Sequence, residues 1–136
     1  VFMEEARASL RAAGFVDANI SSELFGGVEA LRPGLVNPSS RPPHAPSDAA
    51  TEGALVTFVR SGLTVHWEDR YASLLELAEA CNVPVRWACR SGVCHNCETS
   101  VIDGDVSYFN EPLQAPTEGR ILICCSSPTS DVELDL

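Results

Sequence analysis

The placement of six cysteines constrains this 136-residue chain more than any other feature. Four fall at Cys81, Cys89, Cys94 and Cys97, and the remaining two are adjacent, Cys124 and Cys125. A small secreted domain spreads its cysteines along the chain as a framework of disulfides. Clustering of this kind points instead to ligation of a metal or a metal cluster. The opening VFMEEARASL has neither the basic stretch nor the apolar core of a secretory signal, so a reducing, cytoplasmic setting is expected. A chain that opens on Val1, with a methionine at position 3, is expected to be a piece of a longer polypeptide.

Residues Cys89-Arg90-Ser91-Gly92-Val93-Cys94-His95-Asn96-Cys97 have the spacing C-x4-C-x2-C. This is the plant-type [2Fe–2S] spacing, which expects a fourth cysteine far downstream. Two irons bridged by two sulfides take four thiolates, two on each iron. A tight loop wraps three of them, and the fourth arrives from another element. Ser91 and Gly92 are small enough for the backbone to close around the inorganic sulfides and aim N–H groups at them. Gly92 also takes a positive φ at no steric cost. Other chemistries fit worse. A zinc ribbon needs a second C-x2-C, which adjacent Cys124 and Cys125 cannot supply. A Rieske centre needs two histidines on one iron, whereas His95 has no partner nearby and reads as a solvated loop residue. A thioredoxin-type C-x-x-C expects a strand–helix setting.

Three stretches of different character follow one another. Residues 2–13 read as a helix, with Phe2, Ala6, Leu10 and Ala13 on one stripe and Gly14 as its stop. Residues 19–25 read as a short strand. Residues 32–53 hold five of the nine prolines and few apolar side chains, so a mobile, semi-extended spacer is expected. Residues 54–136 then read as a small α+β domain. ALVTFVR (54–60) and LTVHW (63–67) form a hairpin around Ser61-Gly62. Ser73 caps a helix, Glu76 completes a capping box, and Leu74, Leu77, Ala78 and Cys81 make its apolar face before Pro84 ends it. Cys81 thus reads as a core thiol. Residues 85–97 form an irregular loop. ETSVIDGDVSYF (98–109) gives a strand, a turn at Asp103-Gly104 and a return. RILICC (120–125) and DVELDL (131–136) are further strands, with Cys124 and Cys125 on opposite faces of theirs.

The formal charge is −10, and all nine basic residues are arginine. So acidic a surface repels phosphate backbones, which excludes nucleic acid as a partner. No run approaches the roughly 18 to 20 apolar residues of a spanning helix, so no membrane partner is expected. A partner with a basic face is the natural expectation, met by acids such as Asp69, Glu76, Glu79, Asp103 and Asp105. Trp67 and Trp87 read as core residues, Trp87 shielding one side of the cysteine loop.

CRSGVCHNC followed by LICCSSP and DVELDL closely resembles the plant-type ferredoxin domain over residues 54–136. The resemblance implies a β-grasp fold, a mixed sheet with one helix across it. It implies a [2Fe–2S] cluster held by Cys89, Cys94, Cys97 and Cys124, with Arg90, Ser91 and Gly92 around it. Cys124 rather than Cys125 is the fourth ligand on this basis, because the family's ligand stands four residues before a proline, here Pro128. Residues 1–31, with a helix near "FM" and then Glu23-Leu24-Phe25, look like the C-terminal end of a ferredoxin–NADP reductase-like domain. The order of reductase end, linker and ferredoxin resembles the phthalate dioxygenase reductase architecture. HNCE, EPLQAP and ILICCSSP also look like reductase–ferredoxin chains fused to a MOSC domain. These resemblances imply FMN or FAD and NAD(P)H in an upstream reductase module of the same chain. They imply single electrons passing through the cluster to an acceptor such as an oxygenase. This segment itself makes and breaks no substrate bond, and the parent would be an NAD(P)H-dependent oxidoreductase. The competing class is a non-redox β-grasp interaction module whose cysteines hold zinc or nothing, which iron and sulfide analysis separates at once.

Overall fold

The computed structural model describes residues 2–16, 34–35 and 41–136. The strand expected over 19–25 lies outside the described residues. Helix α1 (Phe2–Ala12) matches the expected apolar periodicity. Its chain is turned by Gly14 at φ +91°, with the Phe15 N–H donating to the Leu10 carbonyl at 3.1 Å. Strand β1 is the pair Gly34–Leu35.

The rest builds around a mixed five-stranded sheet. Strands β2 (Leu55–Phe58) and β3 (Leu63–His66) form the hairpin expected from the alternating residues around Ser61-Gly62. Val56 and Phe58 point inward and are fully buried, while Thr57 points outward and hydrogen-bonds Thr64 across the pair at 3.0 Å. Helix α2 (Leu74–Ala80) follows, then β4 (Arg86–Trp87), β5 (Glu98–Asp103), β6 (Val106–Tyr108), β7 (Arg120–Leu122), β8 (Ser126–Pro128) and β9 (Val132–Leu134). The sheet order is β3-β2-β9-β5-β7, with β2 and β9 parallel. Two small ribbons, β1–β4 and β6–β8, complete it. This is the expected α+β, β-grasp-like arrangement.

Helix α2 forms where the capping box places it. The Ser73 hydroxyl accepts from the Glu76 N–H at 3.3 Å. The Glu76 carboxylate returns one residue earlier than the usual box, accepting from the Ala72 N–H at 2.7 Å. Leu74, Leu75, Leu77 and Ala78 are buried, as is Cys81, the core thiol expected on that face. Burial lifts the Cys81 thiol to about 11, so it stays neutral.

Two features depart from the expected pattern. The strand read over 120–125 stops at Leu122, and the chain turns through 123–125 before β8. The Cys125 N–H and the Ser126 hydroxyl both bond the Leu122 carbonyl, at 3.2 and 3.0 Å, which closes that turn. Cys124 and Cys125 therefore do not alternate across a strand, and both are buried. Residues 41–53, part of the stretch expected as a mobile spacer, carry hydrogen bonds to the domain. The His44 N–H donates to the Cys81 carbonyl at 2.9 Å and the Ala50 N–H to Glu68 at 3.0 Å.

Gly104, in the expected Asp103-Gly104 turn, has φ +92° and lies against β9. A Cβ there would sit 2.0 Å from the Asp131 carbonyl oxygen. Gly104→Ala combines this overlap with the left-handed backbone penalty and should cost about 3 kcal/mol or more. A denaturant midpoint unchanged from the parent would contradict that packing.

Candidate metal centre

The loop between β4 and β5 carries Cys89, Cys94 and Cys97, and the turn after β7 carries Cys124. Cys94 is exposed, Cys89 half-buried, and Cys97 and Cys124 are buried. All six cysteines are free thiols. The four candidate ligands come together as two pairs. In the first, the Cys89 N–H points at the Cys94 sulfur at 3.5 Å and the Cys94 N–H at the Cys89 sulfur at 3.4 Å. In the second, Cys97 and Cys124 hydrogen-bond each other. Among the described residues, no group of three or more His, Cys, Asp or Glu side chains is arranged around one point to hold a single metal ion.

The loop takes its shape from three left-handed residues, Arg90 at φ +53°, Gly92 at +75° and His95 at +58°. This winding turns the N–H groups of Ser91 and Cys94 toward the Cys89 sulfur. Burial opposes ionisation of Cys89. The N–H and hydroxyl of Ser91, with the N–H groups of Cys94 and Val93, outweigh it and bring the thiol down to about 7. Hydrogen bonds from the Cys125 and Cys97 thiols hold Cys124 down to about 3, against its burial and with help from the Gly92 N–H. The protons stay on Cys97 and Cys125, which their bonds to Cys124 and their burial push up.

Arg90 is a bulky residue in a conformation that favours glycine, at a cost on the order of 1 kcal/mol. Its side chain offsets that cost. Both terminal nitrogens donate to the two Glu79 carboxylate oxygens, one at 3.0 Å, and the guanidinium lies 4.0 Å over the Trp87 ring. Gly92 is buried beneath the 109–113 segment. A Cβ there would lie 3.1 Å from the Cys125 sulfur and 3.4 Å from Pro112 Cα. The Leu113 N–H donates to the Gly92 carbonyl at 3.0 Å and the Phe109 N–H to the Cys125 carbonyl at 3.2 Å. On the other side, the Leu75 N–H donates to the Ile123 carbonyl at 2.8 Å, one residue before Cys124.

Several sequence readings change here. His95 is not simply solvated. Its Nδ1 pairs with Glu98 at 3.0 Å, and its Nε2 is buried without a partner. Glu76 and Glu79, read as docking acids, are spent on Ala72 and Arg90, whereas Asp69, Asp103 and Asp105 are exposed. The Glu79–Arg90–Trp87 stack was missed, since residues 79 and 90 are brought together only by the fold. Trp87, like Trp67, is partly buried and packs against the core.

The arrangement fits a binuclear iron–sulfur group. Two thiol pairs match two irons, and backbone N–H groups converge on the sulfurs. The Ser91 hydroxyl is buried beside the Cys89 sulfur and, with the Ser91 N–H, favours its thiolate. The space under Gly92 tolerates no larger residue without movement.

Comparison with known proteins agrees. The family model for the 2Fe-2S iron-sulfur cluster binding domain matches residues 56–129. The chain is 36% identical over 83 residues to the uncharacterized ferredoxin-like protein YfaE of Escherichia coli, covering 61% of this chain and 99% of YfaE. It is 32% identical over 87 residues to an NADPH oxidoreductase of Mycobacterium tuberculosis, covering 64% of this chain and only 23% of that protein. Among solved structures, phthalate dioxygenase reductase superposes with a TM-score of 0.63 at 23% identity, covering 98% of this chain and 37% of the reductase. That likeness is one of fold.

Glu98 ties the loop to the 117 turn. Bonds from Thr117, whose N–H lies at 2.9 Å, and from His95 hold its carboxyl down to about 2 from 4.5. A depressed carboxyl contributes stability that is full above its unfolded value and lost as pH falls toward its folded one. Glu98→Gln should therefore lower the denaturant midpoint at pH 6, and the gap to the parent should narrow below about pH 4.5. A gap that widens on acidification would reverse this assignment.

Proposed function

The chain belongs to the 2Fe-2S iron-sulfur cluster binding domain family, and on that footing we propose that Cys89 and Cys94 hold one iron of its [2Fe–2S] cluster and Cys97 and Cys124 the other. The observation that carries this reading is that Cys124, from a separate segment, pairs with Cys97 of the loop, in which Cys89 and Cys94 pair beneath converging N–H groups. When bound, the cluster supplies a one-electron redox centre. The chain's own residues hold and solvate it. The N–H groups of Ser91, Val93 and Cys94 and the Ser91 hydroxyl face the added negative charge of the reduced state. Arg90, fastened by Glu79, keeps the loop in its wound form. Exposed Cys94 marks the side open to partners, and buried Cys97 and Cys124 the closed side.

In this reading residues 54–136 are the ferredoxin domain, residues 32–53 the connection, and residues 1–31 the end of an NAD(P)-binding reductase domain. Electrons arrive from NAD(P)H by way of FMN or FAD in that module of the same chain and leave to an acceptor such as an oxygenase. The relative named as an NADPH oxidoreductase, of which this chain spans under a quarter, supports a nicotinamide donor served by a larger protein. The setting is cytoplasmic, in keeping with six free thiols. Among the described residues no helix is long and apolar enough to cross a membrane. The acceptor docks with a basic face. Exposed Glu111 beside exposed Phe109 and Leu113, all on the segment bonded to Gly92 and Cys125, supports that choice.

Two outcomes test this. Cys124→Ser should lose the cluster's visible absorption or change it grossly, while Cys125→Ser keeps it; a bleached Cys125 variant beside a normal Cys124 variant would overturn the ligand choice. Reduction of the downstream acceptor should slow as salt rises, because exposed charges are screened beyond about 8 Å at physiological ionic strength. Salt-independent delivery would remove the acidic face from the docking site.

A further inference from the structure

The stretch between the two predicted modules is anchored at several places along its described length. Gly34 and Leu35 pair antiparallel with Trp87 and Arg86. The Arg41 carbonyl accepts from the Asn82 side chain, and the His44 N–H donates to the Cys81 carbonyl at 2.9 Å. Asp48 pairs with Arg70, and the Ala50 N–H donates to Glu68 Oε1 at 3.0 Å. Pro43, His44, Pro46, Ala49 and Ala50 are partly buried.

The anchors have a physical logic. Cys81 is the C-cap of α2 and Asn82 follows at φ +55°, where helices leave carbonyls without intrahelical donors. The His44 N–H satisfies one of them. Strand β4 is a two-residue strand that runs into the cysteine loop, and β1 is its only strand partner among the described residues. The Trp87 of that strand carries Arg90, and Arg90 reaches back to Glu79 on α2. The connecting segment, the end of α2 and the cysteine loop thus form one bonded set.

We infer that residues 34–35 and 41–50 form a strap docked on the shoulder made by α2 and β4, so that the chain leaves the ferredoxin domain beside Trp87 rather than at the start of β2. The consequence for electron delivery rests on the function proposed above; the docking itself does not. Without the strap, an attached module would be tethered at Ala54 by the whole proline-rich stretch. With it, the tether begins at Gly34, whose strand partner Trp87 stands two residues before Cys89. Effective concentration falls roughly as the −3/2 power of tether length, so even a twofold shortening raises it about threefold. The strap also places the attached module on the side where the cysteine loop begins.

Amide hydrogen exchange on the cluster-loaded chain reads the docking directly. His44 and Ala50 should exchange at least tenfold more slowly than an unfolded chain. Asn82→Gly, which keeps the left-handed backbone, combined with Asp48→Ala should abolish that protection while the visible spectrum stays unchanged. In the full-length protein, the double variant should slow cluster reduction by the attached reductase module about threefold, and leave reduction by the same module supplied as a separate protein unaltered. Unfolded-chain exchange at His44 and Ala50 in the unsubstituted protein would overturn the strap. Equal rates from the attached module with and without the two substitutions would overturn its role in delivery. A chain that binds no iron and sulfide would sink the proposed function instead, and the exchange result would still decide the strap.

Discussion

One hydrogen bond fastens the turn that carries the fourth thiol to α2: the Leu75 N–H to the Ile123 carbonyl at 2.8 Å. Leu75 stands in the first turn of α2, where N–H groups have no intrahelical acceptor. Leaving that buried donor unpaired would cost about 1–3 kcal/mol. Satisfying it with the residue before Cys124 fastens the fourth thiol to the start of the helix. The other end of the same helix holds Arg90 through Glu79, and with it the loop of the first three thiols. A helix only Leu74–Ala80 long is therefore the bracket across which both contributions meet. Its buried face, Leu74, Leu75, Leu77 and Ala78, makes that bracket rigid by packing it on the sheet.

The electrostatics follow a similar division of labour. A chain of net charge −10 must still assemble four thiolates, which add further negative charge. The countermeasure is local and made of dipoles. N–H groups at Ser91, Val93 and Cys94 converge on Cys89, and the Gly92 N–H and the Cys125 thiol, which is not among the four, donate to Cys124. Arg90 supplies the one full positive charge within the cysteine loop, and Glu79 neutralises it. Acids that look interchangeable in the sequence thus have separate fates. Glu76 and Glu79 brace the interior, Glu98 locks the end of the loop, and Asp69, Asp103 and Asp105 remain exposed.

Much of this was legible before any coordinates. C-x4-C-x2-C names a donor set because the count and spacing of thiolates are dictated by the cluster's own chemistry. The alternation of 54–60, the capping box at Ser73 and the turn at Asp103-Gly104 are local signals, each written within a few residues, and they place β2, α2 and β5. What local pattern does not carry is what depends on distant partners. The apolar run RILICC reads as one strand, yet the Leu122 carbonyl captures both Cys125 and Ser126 and ends it. The proline-rich stretch reads as free because few of its residues are apolar, but its backbone finds acceptors at the end of α2 and at Glu68.

The sequence by itself determined the cluster chemistry, the α+β class and the hairpin, helix and turn that frame them, because each depends on residue identity over short spacings. Only the tertiary structure decided how the thiols pair, which acids are internal and what the Gly34–Leu35 pair bonds to. Those outcomes rest on bonds between residues far apart in sequence: Cys97 with Cys124, Glu79 with Arg90, Gly34 with Trp87. No periodicity within either partner announces them, since each is set by the packing of α2 against the sheet.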